Sequence, residues 1–162
     1  MEEGVNMAVL AETTAQVLVD DVVTLPLPAE KIDEIVASIR DAHCFVIDNK
    51  VIFQGTLHKQ IFFVDLEGVV RHVGVDIPFS GFVDVPRVPA GSACQLDPEI
   101  EFLSFELVTP TQLRETVVIA MGVTVFDTPV QTLVFNQTLP TQPVVFGEPN
   151  TVRARASGVL VR

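Results

Sequence analysis

The chain has 162 residues, a formal net charge of −11, 48% hydrophobic residues and only 19% charged ones. That length suits one domain burying roughly 70% of the surface its unfolded form exposes, and the composition lies outside the low-hydrophobicity, high-charge signature of disorder. The acidic balance argues against nucleic acid and anionic membrane as partners, since both call for clustered Lys and Arg.

Val, Ile, Phe and Thr recur throughout while Trp and Tyr are absent, a composition that fits a pleated, half-buried surface better than a helix. A strand-like run from Ala15 to Leu25 is closed by Pro26 and Pro28, which cannot donate ladder hydrogen bonds. Residues 1–24 therefore read as an N-terminal arm or donor strand. In residues 29–40 the spacing of Ile32, Ile35, Val36 and Ile39 follows the i, i+3, i+4, i+7 rule of an amphipathic helix, with Pro28 placed to start it. A strand from about Ile35 into Cys44-Phe-Val-Ile47 accounts for the same residues, and the pattern leaves both open.

From Asp48 the pattern is β. Asp48-Asn49 is a turn, and Lys50 to Val64 a long strand with a bulge or close backbone approach expected at Gly55. Asp65 to Gly68 is a hairpin loop, after which odd-numbered, mostly apolar residues from Val69 to Val85 alternate with mostly polar even-numbered ones, the period of a half-buried antiparallel strand. Pro78 assigns part of that strand to an edge or bulge. Pro86 to Gly91 is a loop, Ile100 to Val108 a strand exposing Glu99, Glu101 and Glu106 at its margins, and Arg114 to Phe126 a central strand. Thr132 to Asn136, Val144 to Phe146 and Gly158 to Val161 are shorter candidates. The expected fold is all-β, with β-sandwich-like antiparallel sheets, extended N- and C-terminal arms and at most one short helix. A β domain would occupy residues 25–136 and a C-terminal extension residues 137–162. A sandwich is favoured over a closed barrel, though periodicity does not separate them.

The two ends differ in sign. Residues 1–21 hold Glu2, Glu3, Glu12, Asp20 and Asp21 without a basic residue, whereas residues 149–162 hold Arg153, Arg155 and Arg162 without an acidic one. Two solvated tails explain this, as does a meeting between one subunit's start and the next one's end. The acidic opening Met-Glu-Glu-Gly, followed by only a short apolar run from Ala8 to Ala11, lacks the features of a signal peptide and points to synthesis in a cytoplasm. The uncharged stretch Thr128 to Gly147 is broken by Pro129, Pro140 and Pro143, unlike a membrane span. Cys44 and Cys94 lack metal-type spacing; buried free thiols are the simpler reading, and an internal or intersubunit disulfide is the alternative.

The segment Lys50-Val-Ile-Phe-Gln-Gly-Thr-Leu-His-Lys-Gln-Ile-Phe-Phe-Val64 resembles the signature of the SPOCS domain, a family associated with bacterial spore coats. The resemblance continues through Val70-Arg-His72, Ile77-Pro-Phe-Ser80, Phe82-Val-Asp-Val-Pro86, Ala90-Gly91 and Ile100-Glu101, covering about residues 30–125. It implies a β-rich interaction module in spore-coat or spore-envelope assembly. The chain departs from the family's usual arrangement in carrying one copy and no recognisable wall-binding module, which favours a short building block, located in the spore envelope or at the cell exterior, over an adaptor.

No enzymatic constellation stands out. His43, His58 and His72 have no neighbouring nucleophile in a recognisable motif, a site of His58, His72 and Cys44 for a metal carries little weight, and Glu99 and Glu101 read as a solvated strand face. No cofactor is expected. The expected activity is non-enzymatic self-association by strand addition, with other copies of the chain, and further spore-envelope proteins, as partners. Val17, Val19, Val159 and Val161 would fill pockets between subunits, and Arg153 and Arg155 would meet the acidic end. Lys, the commonest edge protector, occurs only at Lys31, Lys50 and Lys59. A carbohydrate- or cell-wall-binding sandwich is the alternative, weakened by the absence of the Trp and Tyr that commonly form sugar platforms.

Overall fold

A computed structural model describes residues 8–127, 144–145, 151–155 and 160–161. Six long strands come first: β1 (Val9–Thr24), β2 (Ala29–Ile47), β3 (Lys50–Asp65), β4 (Val70–Asp84), β5 (Ala93–Thr109) and β6 (Gln112–Phe126). The short strands β7 (Val144–Val145), β8 (Thr151–Arg155) and β9 (Leu160–Val161) follow. They form two sheets, in the orders β1-β6-β5-β7 and β4-β3-β2-β8-β9. Every pairing is antiparallel except the short one between β5 and β7. The expected all-β, sandwich-like fold is thus present, and the described residues contain no helix.

Each long strand turns one side of its pleat inward. The central strands show it best: β3 buries Val51, Phe53, Leu57, Ile61 and Phe63, and β6 buries Leu113, Val117, Ile119, Met121, Val123 and Val125. Those two apolar faces meet to form the core, and their burial is the main source of stability.

The helical signal at residues 29–40 belongs to β2. Pairing with β3 shifts register between Ala29 and Lys31, between Ile32 and Glu34, and between Arg40 and His43. At each shift β2 carries one residue more than its partner, which is a β-bulge. The same places are where the spacing of buried residues jumps from two to three, from Ala29 to Ile32, from Ile32 to Ile35 and from Ile39 to Ala42. Bulges that restore the inward parity produce a spacing that imitates a helix.

Residues 9–24, expected as an arm, pair along their length with β6 of the same chain. Val17, Val19 and Val23 supply a regular inward face, with Val19 and Val23 buried, so the segment completes its own sheet. At the other end, β8 adds to β2 and β9 to β8, within the stretch expected as a C-terminal extension. The strand expected at Thr132 to Asn136 lies outside the described residues.

The crossings between sheets are tied down by main-chain hydrogen bonds. Leu25 N–H donates to Thr111 O and Ala29 N–H to Pro110 O, fixing the first crossing to the β5–β6 turn. The loop from Val85 to Ser92 is held on the Asp48-Asn49 turn, whose side chains accept from Ala90 N–H and Arg87 N–H. Cys44 on β2 and Cys94 on β5 form a disulfide between the sheets, with Cα atoms 6.4 Å apart. This replaces the free-thiol reading; the inward parity of both strands brings the two sulfurs face to face.

Gly55 stands opposite the β2 bulge between Arg40 and His43 and adds no surplus residue of its own, since β3 passes through it in unbroken register with β4. It pairs with Phe79, and Gly81 two positions along pairs with Phe53. A methyl group added at Gly55 would sit 2.7 Å from the Phe79 ring, and one at Gly81 2.7 Å from the Phe53 ring. Each ring therefore lies over the glycine opposite and takes the space a side chain would need. Asp65 organises the following hairpin: its Oδ1 accepts from Glu67 N–H and Val69 N–H, and its Oδ2 from Arg71 Nε. The Val69 amide, then the Arg71 side chain, hold the carboxyl below its ordinary 3.8.

Gly55→Ala and Gly81→Ala should each cost about 1–3 kcal/mol through overpacking, seen as a lower urea midpoint at unchanged slope. Because Asp65 has a depressed pKa in the folded chain, its stabilisation is complete at neutral pH and is lost as pH falls through 3.8 and below. Asp65→Asn should therefore destabilise at neutral pH, with a penalty that shrinks on acidification in paired denaturant titrations. Reduction of the disulfide, which closes a separation of 50 residues, should lower unfolding stability by about 4 kcal/mol, measured with and without reductant.

Candidate assembly surface

One flank of the sandwich is formed by β1 and β4, the terminal strands of the two sheets on that side, while β7, β8 and β9 lie on the other flank. Just after β1, Leu25 N–H donates to the O of Thr111, the residue before β6, and register in β1 runs without a shift from Ala11 to Thr24. Main-chain groups alternate sides along a strand. The even-numbered residues from Glu12 to Thr24 therefore turn their N–H and C=O groups away from β6, toward an edge that pairs with no other strand among the described residues. Leu18 and Val22 are 66% and 54% exposed on the outer face of the same strand.

The two edges differ in how they are protected. Asp65 N–H at the end of β3 donates to Val69 O just before β4, so by the same alternation Pro78 of β4 faces away from β3, and its missing N–H interrupts that edge. β1, sixteen residues long, contains no Pro and no Lys, so neither of those two devices interrupts its edge. Lys31 and Lys50 lie on β2 and β3, and Lys59 is buried in the core.

The residues expected between subunits are placed as follows. Val17 and Val19 lie on β1 opposite Ile119 and Val117; Val19 is buried in this chain's own core. Arg153 and Arg155 lie on β8 opposite Val36 and Glu34 of β2. Val161 lies on β9 opposite Arg153, and Val159 lies outside the described residues. β1 and β8 thus occupy opposite flanks, one with Glu12, Asp20 and Asp21, the other with Arg153 and Arg155.

The histidines are structural partners across strands. His58 Nδ1 is 2.6 Å from Asp76 Oδ1, His72 Nε2 is 3.2 Å from Gln60 Oε1, and His43 Nε2 is 2.9 Å from Gln54 Oε1. Cys44 is bonded to Cys94, so the site of His58, His72 and Cys44 does not exist as a ligand set. Among the described residues no group of three or more His, Cys, Asp or Glu could hold a metal, and no helix is long and apolar enough to cross a membrane. Glu101 lies at the β5 bulge and accepts from Gln16 across the sheet. A shallow depression of about 520 Å³ lies over Gly55, lined by Asp41, His43, Thr56 and Ser80 among others.

One feature was missed by sequence reasoning. Lys59 on β3 meets Glu115 on β6 in an ion pair between the sheets, each side chain only 1% exposed. Glu115 Oε2 has no hydrogen-bond partner among the described residues. Burial pushes the Glu115 pKa up, Lys59 pulls it down, and Asp21 adds to the rise. The signal was available in the parity: Lys59 stands between Leu57 and Ile61, and Glu115 between Leu113 and Val117, each at an inward position.

Among curated proteins and among solved structures nothing matches the chain. The family described as SipL, SPOCS domain, matches residues 28–108, from the first crossing to the end of β5. That match spans half of the sequence, and it includes the block from Lys50 to Val64 and the paired Phe and Gly residues of β3 and β4. The chain belongs to the SPOCS domain family.

Proposed function

We propose that this chain is a non-enzymatic structural subunit of a spore-associated layer, and that it self-associates by strand addition at the open edge of β1. The observation that carries the reading is the contrast between the two edges on one flank: β4 is interrupted by Pro78, whereas β1 has neither Pro nor Lys. Main-chain hydrogen bonds from an incoming strand would supply affinity, and the exposed Leu18 and Val22 beside the edge would add apolar contact. Family membership supports a spore-related role. The buried cystine suits an oxidising destination, such as the spore envelope or the cell exterior.

The incoming strand is assigned to the opposite flank of a second copy, where β9 ends the other sheet. Arg153 and Arg155 on that flank then approach Glu12, Asp20 and Asp21, and Val159 and Val161 belong to the segment that docks. A contact between unlike flanks repeats head to tail, giving a ring if it closes and a filament if it does not. Val17 and Val19 take part only if β1 exchanges between copies, entering in the neighbour the same inward positions they hold here.

Thr14→Pro removes an N–H that no strand among the described residues uses. It should leave folding intact and reduce assemblies to monomer in sedimentation velocity and electron microscopy. Arg153→Glu with Arg155→Glu should weaken assembly most at low salt. Unaltered assembly of the Thr14→Pro chain would reject the β1 edge, and a wild-type chain that stays monomeric at high concentration would reject self-association. Removing residues 1–24 is a poor test, because it strips β1 and uncovers β6.

A further inference from the structure

We propose that Lys59 and Glu115 condense into an amide, an internal covalent bond that joins the two sheets through their central strands. The observations are geometric. The Lys59 ammonium contacts a Glu115 carboxyl oxygen, both side chains are 1% exposed, and the second carboxyl oxygen, Oε2, is buried without a partner. Asp21 lies directly opposite Glu115 in the β1–β6 register, on the inward parity of β1 and half-buried. Arg114 and Thr116 engage the adjacent Asp20.

A buried ion pair of this kind holds two charges away from water, and its attraction commonly fails to recover the desolvation cost. The orphaned Oε2 adds to that cost. Proton transfer within the pair gives an amine and a carboxylic acid, the direction in which burial drives Glu115. The neutral pair is the reactive one. The Lys59 Nζ lone pair attacks Glu115 Cδ and forms the C–N bond. Asp21 takes a proton from the nitrogen and passes one to the departing hydroxyl, the C–O bond breaks, and one water leaves. Asp21 ends in the state in which it began, and no oxidant or external reagent is consumed.

Two circumstances favour the product. Fixing amine and acid in contact replaces a bimolecular encounter, for which effective molarities reach about 10⁵–10⁸ M in well-oriented cases. The amide also carries no charge, so the cost of holding two charges away from water is gone, and it has one acceptor oxygen where the carboxyl had two. The bond would join β3 to β6, whereas the disulfide joins β2 to β5. The two links would fasten adjacent pairs of facing strands by different chemistries, and only the disulfide would yield to a thiol.

The test is the intact mass of the purified, folded chain, measured after reduction and denaturation. The expected result is a mass lower than the sequence by one water, with proteolysis and tandem spectrometry placing the link between Lys59 and Glu115. Lys59→Ala and Glu115→Ala should show the full mass for their sequences. Asp21→Asn should slow the loss of water by about 10²-fold or more, the usual scale of a missing proton relay, and the unlinked form should persist in a time course after refolding. Since either alanine variant can fail to fold, the unaltered chain decides. A full sequence mass in folded wild type, or a lost water mapped to another position, overturns the proposal and leaves an ion pair only.

Discussion

Two sheets stay together here because every long strand keeps one side of its pleat inward over fifteen residues or more. A one-residue slip would exchange an apolar face for a polar one along the entire strand. The bulges in β2 and β5 are what keep that condition satisfied. Each absorbs one surplus residue, so that Ile32, Ile35 and Ala42 in one strand, and Leu103 in the other, return to the core. The disulfide and the tethered crossings then act on a register already set by burial.

Much of this was legible in the residues. Alternation from Val69 to Val85 and the dense run from Arg114 to Phe126 identified an edge strand and a central one, because nothing in either interrupts the period of two. The β2 segment was ambiguous for a physical reason: three bulges change its apparent spacing, and only the partner strand reveals them. The first part of β5 was hidden by Pro98, which breaks a strand pattern on paper yet stands here opposite Met121 within a continuous ladder. Pairing of the cysteines needed the distance between strands remote in sequence, which no local pattern holds.

For the assembly surface the situation is reversed. Composition and charge pointed to protein partners and to ends of opposite sign, but they did not say which backbone groups were open. Topology supplies that: the acidic strand lies at one flank and the strand with two arginines at the other. Residues 9–24, expected as an arm or donor strand, are built into this chain's own sheet, and what β1 offers outward is its edge. The hydrophobic residues on β1 divide accordingly, with Val19 and Val23 serving the core and Leu18 and Val22 facing outward.

The extent of the family match has a bearing on what can stand alone. Residues 28–108 contain all of β2, β3 and β4 but only β5 from the three long strands of the opposing layer. A polypeptide cut at those limits would leave the inner surface of β3, with Leu57 and Ile61, largely uncovered, and the ammonium of Lys59 without its counterion. The matched stretch is therefore smaller than the unit that excludes water in this chain, where β1 and β6 supply the rest of the opposing layer.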